Sequence, residues 1–370
     1  MTLAVFSEIK WEYLTTRKQQ LFSRFPEEWR ILFLEPYKSG MSTRIIPRKV
    51  RPNILVATLP FTKNFPPGVV ASLFGISWFR RGFNALAAGW VRIVMAAAGF
   101  TKPGVVVVSN LHAVPLVSEH WRLVYDMNDN HLAFEHTPVW LRPHFDMLCS
   151  RARRIVVSAA SLGTLCPGQG GKLTYIGNGV DAKVFARSAE SLPQEAERVV
   201  LYTGAVSEII DFELMEEIAD RMPEGYLMRL VGPVFPSVRT KLDRLLVKPR
   251  TTWVPARPQR VLADFVHASH VCLIPFVDSH LTRHVNPNKA YEYLACGKPV
   301  VAMYVTPELD RMKDVLMTAR SREEFVRLAL ADYSREPDEI IQRRKAFARA
   351  NDWSEKAGQY QRLLEDMCKE

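Results

Sequence analysis

The sequence predicts an α/β protein of two doubly wound, Rossmann-like domains facing each other across a cleft. Three observations lead there. Short β-branched or apolar runs alternate with helix-length stretches, and that alternation restarts after a polar patch near residue 190. The chain has 370 residues, 48% of them apolar, which is more than one compact domain ordinarily holds.

In the first half, strands are predicted at 3–6, 31–35, 54–58, 105–109, 123–126, 155–158 and 173–176, with helical stretches such as 14–25 and 140–152 between them. The patch at 188–197, rich in Ala, Ser and Glu and containing Pro193, has the composition of an interdomain linker. Strands are then predicted at 199–202, 228–231, 252–254, 271–275 and 300–304. Helices are predicted at 212–221, 238–246, 261–267, 288–296 and 322–331. The tail, 340–369 with Trp353, has an amphipathic helical pattern and is expected to cross back onto the first domain. The expected division is therefore 1–190, joined by a C-terminal helix at 340–370, and 191–339.

Forty-nine Lys and Arg against 39 Asp and Glu leave a formal charge of +10, which favours anionic partners: phosphates, acidic lipids, nucleic acid or charged glycans. Nucleic acid is the least supported, since no basic-aromatic interleaving or zinc spacing is present. Cys149, Cys166, Cys272, Cys296 and Cys368 are odd in number and lack any CxxC, so the sequence suggests neither a disulfide framework nor a zinc site. The remaining histidines, His112, His144 and His267 among them, have no metal-ligand spacing. No secretory signal or twenty-residue apolar run is visible, and a cytoplasmic protein is expected.

Ligands of open α/β sheets bind beyond the carboxyl ends of the strands, so strand-end turns are the candidate sites. Gly204, in the run YTGAVS (202–207), precedes a helix that Asp211 is placed to open, and would bring backbone N–H groups near a phosphate. Gly232 ends the next strand and leaves room for a ligand ring. A plain turn is the alternative reading of each. The segment VNPNKAYEYLACGKPVV (285–301) carries the most chemistry. Pro287 is pre-organised for a helix start, whose first-turn amides form an anion site beside Lys289. Glu292 lies one turn further on, offering a carboxylate for ribose hydroxyls; an ordinary surface ion pair with Lys289 is the alternative.

At this point the residues resemble a known family. KAYEYLACGKPVV (289–301) is similar to the donor-site helix of retaining GT-B glycosyltransferases, particularly glycosyltransferase family four and relatives of the teichuronic acid biosynthesis enzymes. IGNGVD (176–181) with Phe185, LYTG (201–204), LVGP (230–233), LIPF (273–276), and Trp11 with RKQQL (17–21) and LEP (34–36) carry the likeness along nearly the whole chain. The resemblance implies transfer of a sugar from a nucleotide-diphosphate sugar, a UDP-sugar ahead of a GDP-sugar, held by the C-terminal domain. The acceptor, a glycan or lipid-linked molecule of cell-envelope polysaccharide biosynthesis, would be held by the N-terminal domain. Neither a tightly bound cofactor nor a metal is implied. By position, Glu292 meets the ribose, while Lys289 and the backbone of Val285 and Asn286 meet the diphosphate. Two departures stand out: the first acid of the family's E-x7-E pattern is replaced by His284, and AVSE (205–208) stands where an Arg and Lys pair is usual. His284 is then a candidate contact to the sugar or diphosphate, and Arg257 or Arg283 a candidate substitute charge.

In the first domain, YDMNDNH (125–131) sets Asp126, Asp129 and His131 after a strand, where they are candidates to position an acceptor hydroxyl or take its proton; capping and turn roles are the alternative. Glu8, ending the first strand, is a further candidate. Apolar residues at 83, 86, 90, 93 and 97, near Arg80, Arg81 and Arg92, have helical spacing. They suit either a core helix or one lying on an anionic membrane surface, which would make the protein peripheral on the inner face of the cell membrane. The function expected is a hexosyltransferase-like glycosyltransferase, with a nucleotide-sugar epimerase or a non-catalytic basic scaffold as alternatives.

Overall fold

A computed structural model of the chain describes residues 1–13, 15–60, 63–186 and 197–369. Fourteen strands are seen among these residues. In the first half they are β1 (Thr2–Phe6), β2 (Arg30–Pro36), β3 (Arg48–Arg51), β4 (Ile54–Leu59), β5 (Val105–Val108), β6 (Leu123–Met127), β7 (Arg154–Val157) and β8 (Leu173–Tyr175). In the second they are β9 (Arg198–Thr203), β10 (Tyr226–Val231), β11 (Thr251–Val254), β12 (Val271–Ile274), β13 (Val300–Met303) and β14 (Met317–Ala319).

The strands form two sheets, ordered β3-β4-β2-β1-β5-β6-β7-β8 and β11-β10-β9-β12-β13-β14. Only β3 runs antiparallel to its neighbour. The remaining pairings are parallel, which requires helical crossovers that cover both faces. Central strands are accordingly apolar throughout: every residue of β5 and β12 is buried. Each sheet has its own core cluster, and the chain divides into 178–355 and a unit of 1–177 with the segment from Lys356 onward. In both sheets the winding reverses beside the first strand, between β1 and β5 and between β9 and β12, the topological switch points at which such folds bind ligands.

The expected strands are present, and two more were invisible in the pattern. β3 reads RKVR and is mostly exposed at a sheet edge, so it lacks apolar alternation. β14 has three residues, too few for a period. The linker expected at 188–197 lies, up to 196, outside the described residues, and the division falls at 177/178 instead. The tail forms two helices, Asp338–Ala350 and Trp353–Lys369. Within the first unit, Tyr360 packs edge-on against Phe22, and Gln361 donates to the Arg24 carbonyl.

One expectation needs correction. Cys149 and Cys166 form a disulfide. The helix Arg142–Arg151 and the turn Ala160–Leu165 bring them together, which their spacing of 17 residues does not announce. The helix Ser77–Ala97 bears on the choice left open between a core helix and a membrane-surface one. Its core face is Ala87, Val91, Val94 and Met95, while Leu86 and Ile93, from the face expected to be apolar and buried in a core helix, are 77% and 62% exposed. Among the described residues, no helix is long and apolar enough to cross a membrane.

Candidate functional site

In the second unit the site is built around the ends of β9 and β12. The helix Asn288–Ala295 starts with Pro287 at its N-cap, so no side chain caps it. Of its first-turn amides, that of Ala290 bonds Pro287 O at 3.1 Å, while those of Asn288 and Lys289 have no carbonyl one turn earlier to bond. Tyr293 locks this helix to the strand end, its hydroxyl accepting from the Thr203 amide at 2.8 Å. That contact aims Lys289 across the β9 turn. Its ammonium donates to the Tyr202 hydroxyl at 2.8 Å and lies 4.1 Å from the Tyr202 ring centroid and 4.7 Å from that of Phe276. A Cβ on Gly204 would come within 3.3 Å of the Lys289 Nζ.

Gly204 and Gly232 act through the space they leave. Gly204 has φ +118°, and a Cβ on Gly232 would lie 1.9 Å from the Gly204 carbonyl oxygen, a clash no side chain avoids. The Gly204 N–H, expected near a phosphate, is spent on Val231 O, and the Gly232 N–H bonds Val254 O, both at 2.9 Å. The Val285 amide is also engaged, by Thr282 O at 3.2 Å, so the backbone contact expected there is not available. Asn286 is 4% exposed, and its carbonyl accepts from the Asn178 side chain at 2.7 Å. That bond ties the NGVD run to the loop before the helix.

His284 ends the short turn Thr282–His284 and is half-buried. Arg283, a candidate substitute charge, is held by Asp278 through two bonds of 2.6 and 2.9 Å. Glu292 and Lys289 form no ion pair. The Glu292 carboxylate accepts no hydrogen bond among the described residues, and burial pushes it up to about 7 against the pull of Lys289. Burial likewise lowers the Lys289 ammonium to about 7, opposed by Glu292. A cation and a carboxylate, both poorly solvated and one turn apart, are thus poised beside the switch point.

The first unit holds a second polar cluster at the β1–β5 switch point. Glu8 accepts from Lys18 and from the Ser109 hydroxyl, each at 2.5 Å. Burial raises the Glu8 carboxyl, but the Lys18 charge and these bonds outweigh it and hold it at about 2. Glu8, Asn110, His112 and His131 line a pocket of about 160 Å³. Burial lowers the His131 imidazole, while Glu8 pulls it back up. Asp129 is raised to about 7 by burial and by Glu8, against Lys18, Arg17 and a bond from Asn128. Asp126 does not join them. It is fully buried in an ion pair with Arg17 at 3.7 Å, between Tyr125 and Met127 in the core, so a role for it at an acceptor hydroxyl is withdrawn. Among the described residues, no group of three or more His, Cys, Asp or Glu is placed to hold a metal ion.

Solved structures match the whole chain. The E. coli trehalose-6-phosphate structure bound with UDP-2-fluoro glucose superposes with a TM-score of 0.74 at 12% identity, covering 100% of this chain and 99% of that one. Sucrose-phosphate synthase from Thermosynechococcus elongatus gives 0.74 at 14% identity over 99% and 98%. Anabaena HepE in complex with UDP and glucose gives 0.68 at 15% identity over 99% and 100%. The fold is GT-B.

No family model matches this GT-B chain. It is 29% identical over 136 residues to TuaH of Bacillus subtilis (strain 168), whose name assigns it to teichuronic acid biosynthesis as a glycosyltransferase. The match covers 35% of this chain, and the chain spans about a third, 34%, of that relative's length. Sequence reasoning singled out Lys289 and Glu292 of the GT-B chain but missed Tyr202, Lys18 and Ser109. Lys18 sits within a run noted for resemblance and Tyr202 within a turn read for its glycine, and what distinguishes them is an ammonium and a hydroxyl fully enclosed in the fold.

Proposed function

We propose that the protein is a glycosyltransferase that moves a sugar from a nucleotide-diphosphate sugar to a glycan or lipid-linked acceptor with retention of configuration. The observation that carries this is Lys289: a poorly solvated ammonium without a carboxylate partner, held over the β9 turn by Tyr202 and Phe276, where the missing side chain of Gly204 lets it lie against the turn. Support comes from the fold shared with UDP-bound structures and from the partial likeness to TuaH.

In this reading the second unit holds the donor. Lys289 and the amides of Asn288 and Lys289 balance the diphosphate charge, which builds as the bond from the anomeric carbon to the leaving oxygen breaks. Glu292 accepts from the ribose hydroxyls, and His284 contacts the sugar or the diphosphate. The acceptor oxygen forms the new bond on the face the leaving group vacates, and its proton passes to the leaving phosphate, so no strong protein base is required. The first unit holds the acceptor beside His131 and Asp129. A cytoplasmic protein resting on an anionic inner membrane surface through Trp78, Leu86 and Ile93 fits this reading. UDP, GDP, ADP and dTDP are screened for thermal shifts, followed by transfer from the matching nucleotide sugar. A UDP response that Lys289→Ala abolishes supports the assignment, and no response to any of the four sinks it.

A further inference from the structure

Beside the polar pocket of the first unit lies a second one of about 230 Å³, walled by Phe65, Phe74, Pro138 and Trp140. Lys63 lines both. Its ammonium stands 5.7 Å from the ring centroids of Tyr37 and of Phe65 and has no carboxylate within ion-pair reach among the described residues. Arg80 lies 4.7 Å from the Trp140 ring centroid and spends its bonds on the carbonyls of Phe74 (2.6 Å) and Gly75 (3.2 Å), again without an acid. Burial lowers the Lys38 ammonium, and the charge of Lys63 lowers it further, as expected where cations gather without counter-charge.

We infer that these two pockets, which share Lys63, bind an amphiphilic acceptor, a phosphate ester bearing a hydrocarbon chain, with its phosphate at Lys63 and the first carbons among Phe65, Phe74 and Trp140. An aromatic cavity favours a chain, and an uncompensated ammonium at its mouth favours an anion. The polar pocket beyond, beside Asn110 and His131, takes the part that receives the sugar. Outward, the helix Val69–Gly75, whose Ala71 and Phe74 line the cavity, exposes Val69, Val70 and Leu73, so the rest of the chain leaves over apolar surface. The inference rests on the transferase reading for the word acceptor; the binding itself does not.

The full chain is titrated calorimetrically with decyl phosphate below its micelle concentration, with decanol and with inorganic phosphate. Decyl phosphate is expected to bind at least about tenfold more tightly than either, the weight of one charge-assisted contact. Lys63→Gln removes that preference, Lys63→Arg keeps most of it, and Trp140→Ser weakens both amphiphiles. Equal binding of decyl phosphate and decanol, or no change in Lys63→Gln, overturns the inference. Displacement of decyl phosphate by phosphatidylglycerol vesicles also overturns it, since the site would then be a contact for bulk lipid. Thermal shifts with UDP in the same samples keep the two readings apart: a UDP response without the phosphate preference removes only this inference, and the preference without a nucleotide response removes only the transferase.

Discussion

An ammonium and a carboxylate three residues apart on a helix would ordinarily settle into an ion pair, yet Lys289 turns to Tyr202 and leaves the Glu292 carboxylate without a partner. Glu292, raised from 4.5 to about 7, binds more proton in the fold than in the unfolded chain between those values, so stability falls as pH rises through that window. Lys289, lowered from 10.5 to about 7, does the reverse above neutrality, and stability recovers as pH climbs. Glu292→Gln should therefore raise the Tm relative to the parent more at pH 7 than at pH 5, measured by calorimetry. Binding of a nucleoside diphosphate at pH 8 should load a proton onto Lys289, seen as a buffer-dependent binding enthalpy. Glu292→Ala should weaken donor binding by about 1.5–3 kcal/mol, the value of a hydrogen bond to a charged group. These two residues were legible because a proline-opened helix displays its side chains at known spacing. Glu8 and Lys18 were not legible as a pair, since a loop joins them and only the fold sets their distance at 2.5 Å.

At the scale of elements, the helix Ser77–Ala97 shows where periodicity stops being informative. Its apolar residues outnumber those a single stripe can bury, so spacing alone left a core helix and a membrane-surface helix open, and the residues the fold buries are Ala87, Val91, Val94 and Met95. Leu86→Ser with Ile93→Ser should leave the Tm unchanged while reducing sedimentation with phosphatidylglycerol vesicles. Val91→Ala, by contrast, should destabilise by about 1–3 kcal/mol, as truncation of a buried side chain does. The strand-end turns carry a similar lesson. Gly204 and Gly232 were conspicuous, but their amides are consumed by neighbouring strands and only the missing side chains matter. Gly232→Ala should thus lower both stability and nucleotide response, read together in one thermal-shift series.

For the whole molecule, the architecture was visible in advance because central strands such as β5 and β12, buried on both faces, are written as unbroken apolar runs, and the alternation with helical stretches placed twelve of the fourteen strands among the described residues. The point of division was not. A polar patch near residue 190 signals a surface segment, whereas the boundary follows contacts: Gly177 belongs with Arg17, which donates to its carbonyl at 2.9 Å, and Asn178 with Asn286.

The final helix carries a consequence for anyone wishing to recombine such proteins. The polypeptide leaves its first module at 177, completes the second, and comes home from Lys356 to supply Tyr360 and Gln361 to the place it started. A donor cassette from another transferase must consequently be spliced in at two seams rather than appended at one. A simple C-terminal exchange would carry off part of the module it was meant to preserve.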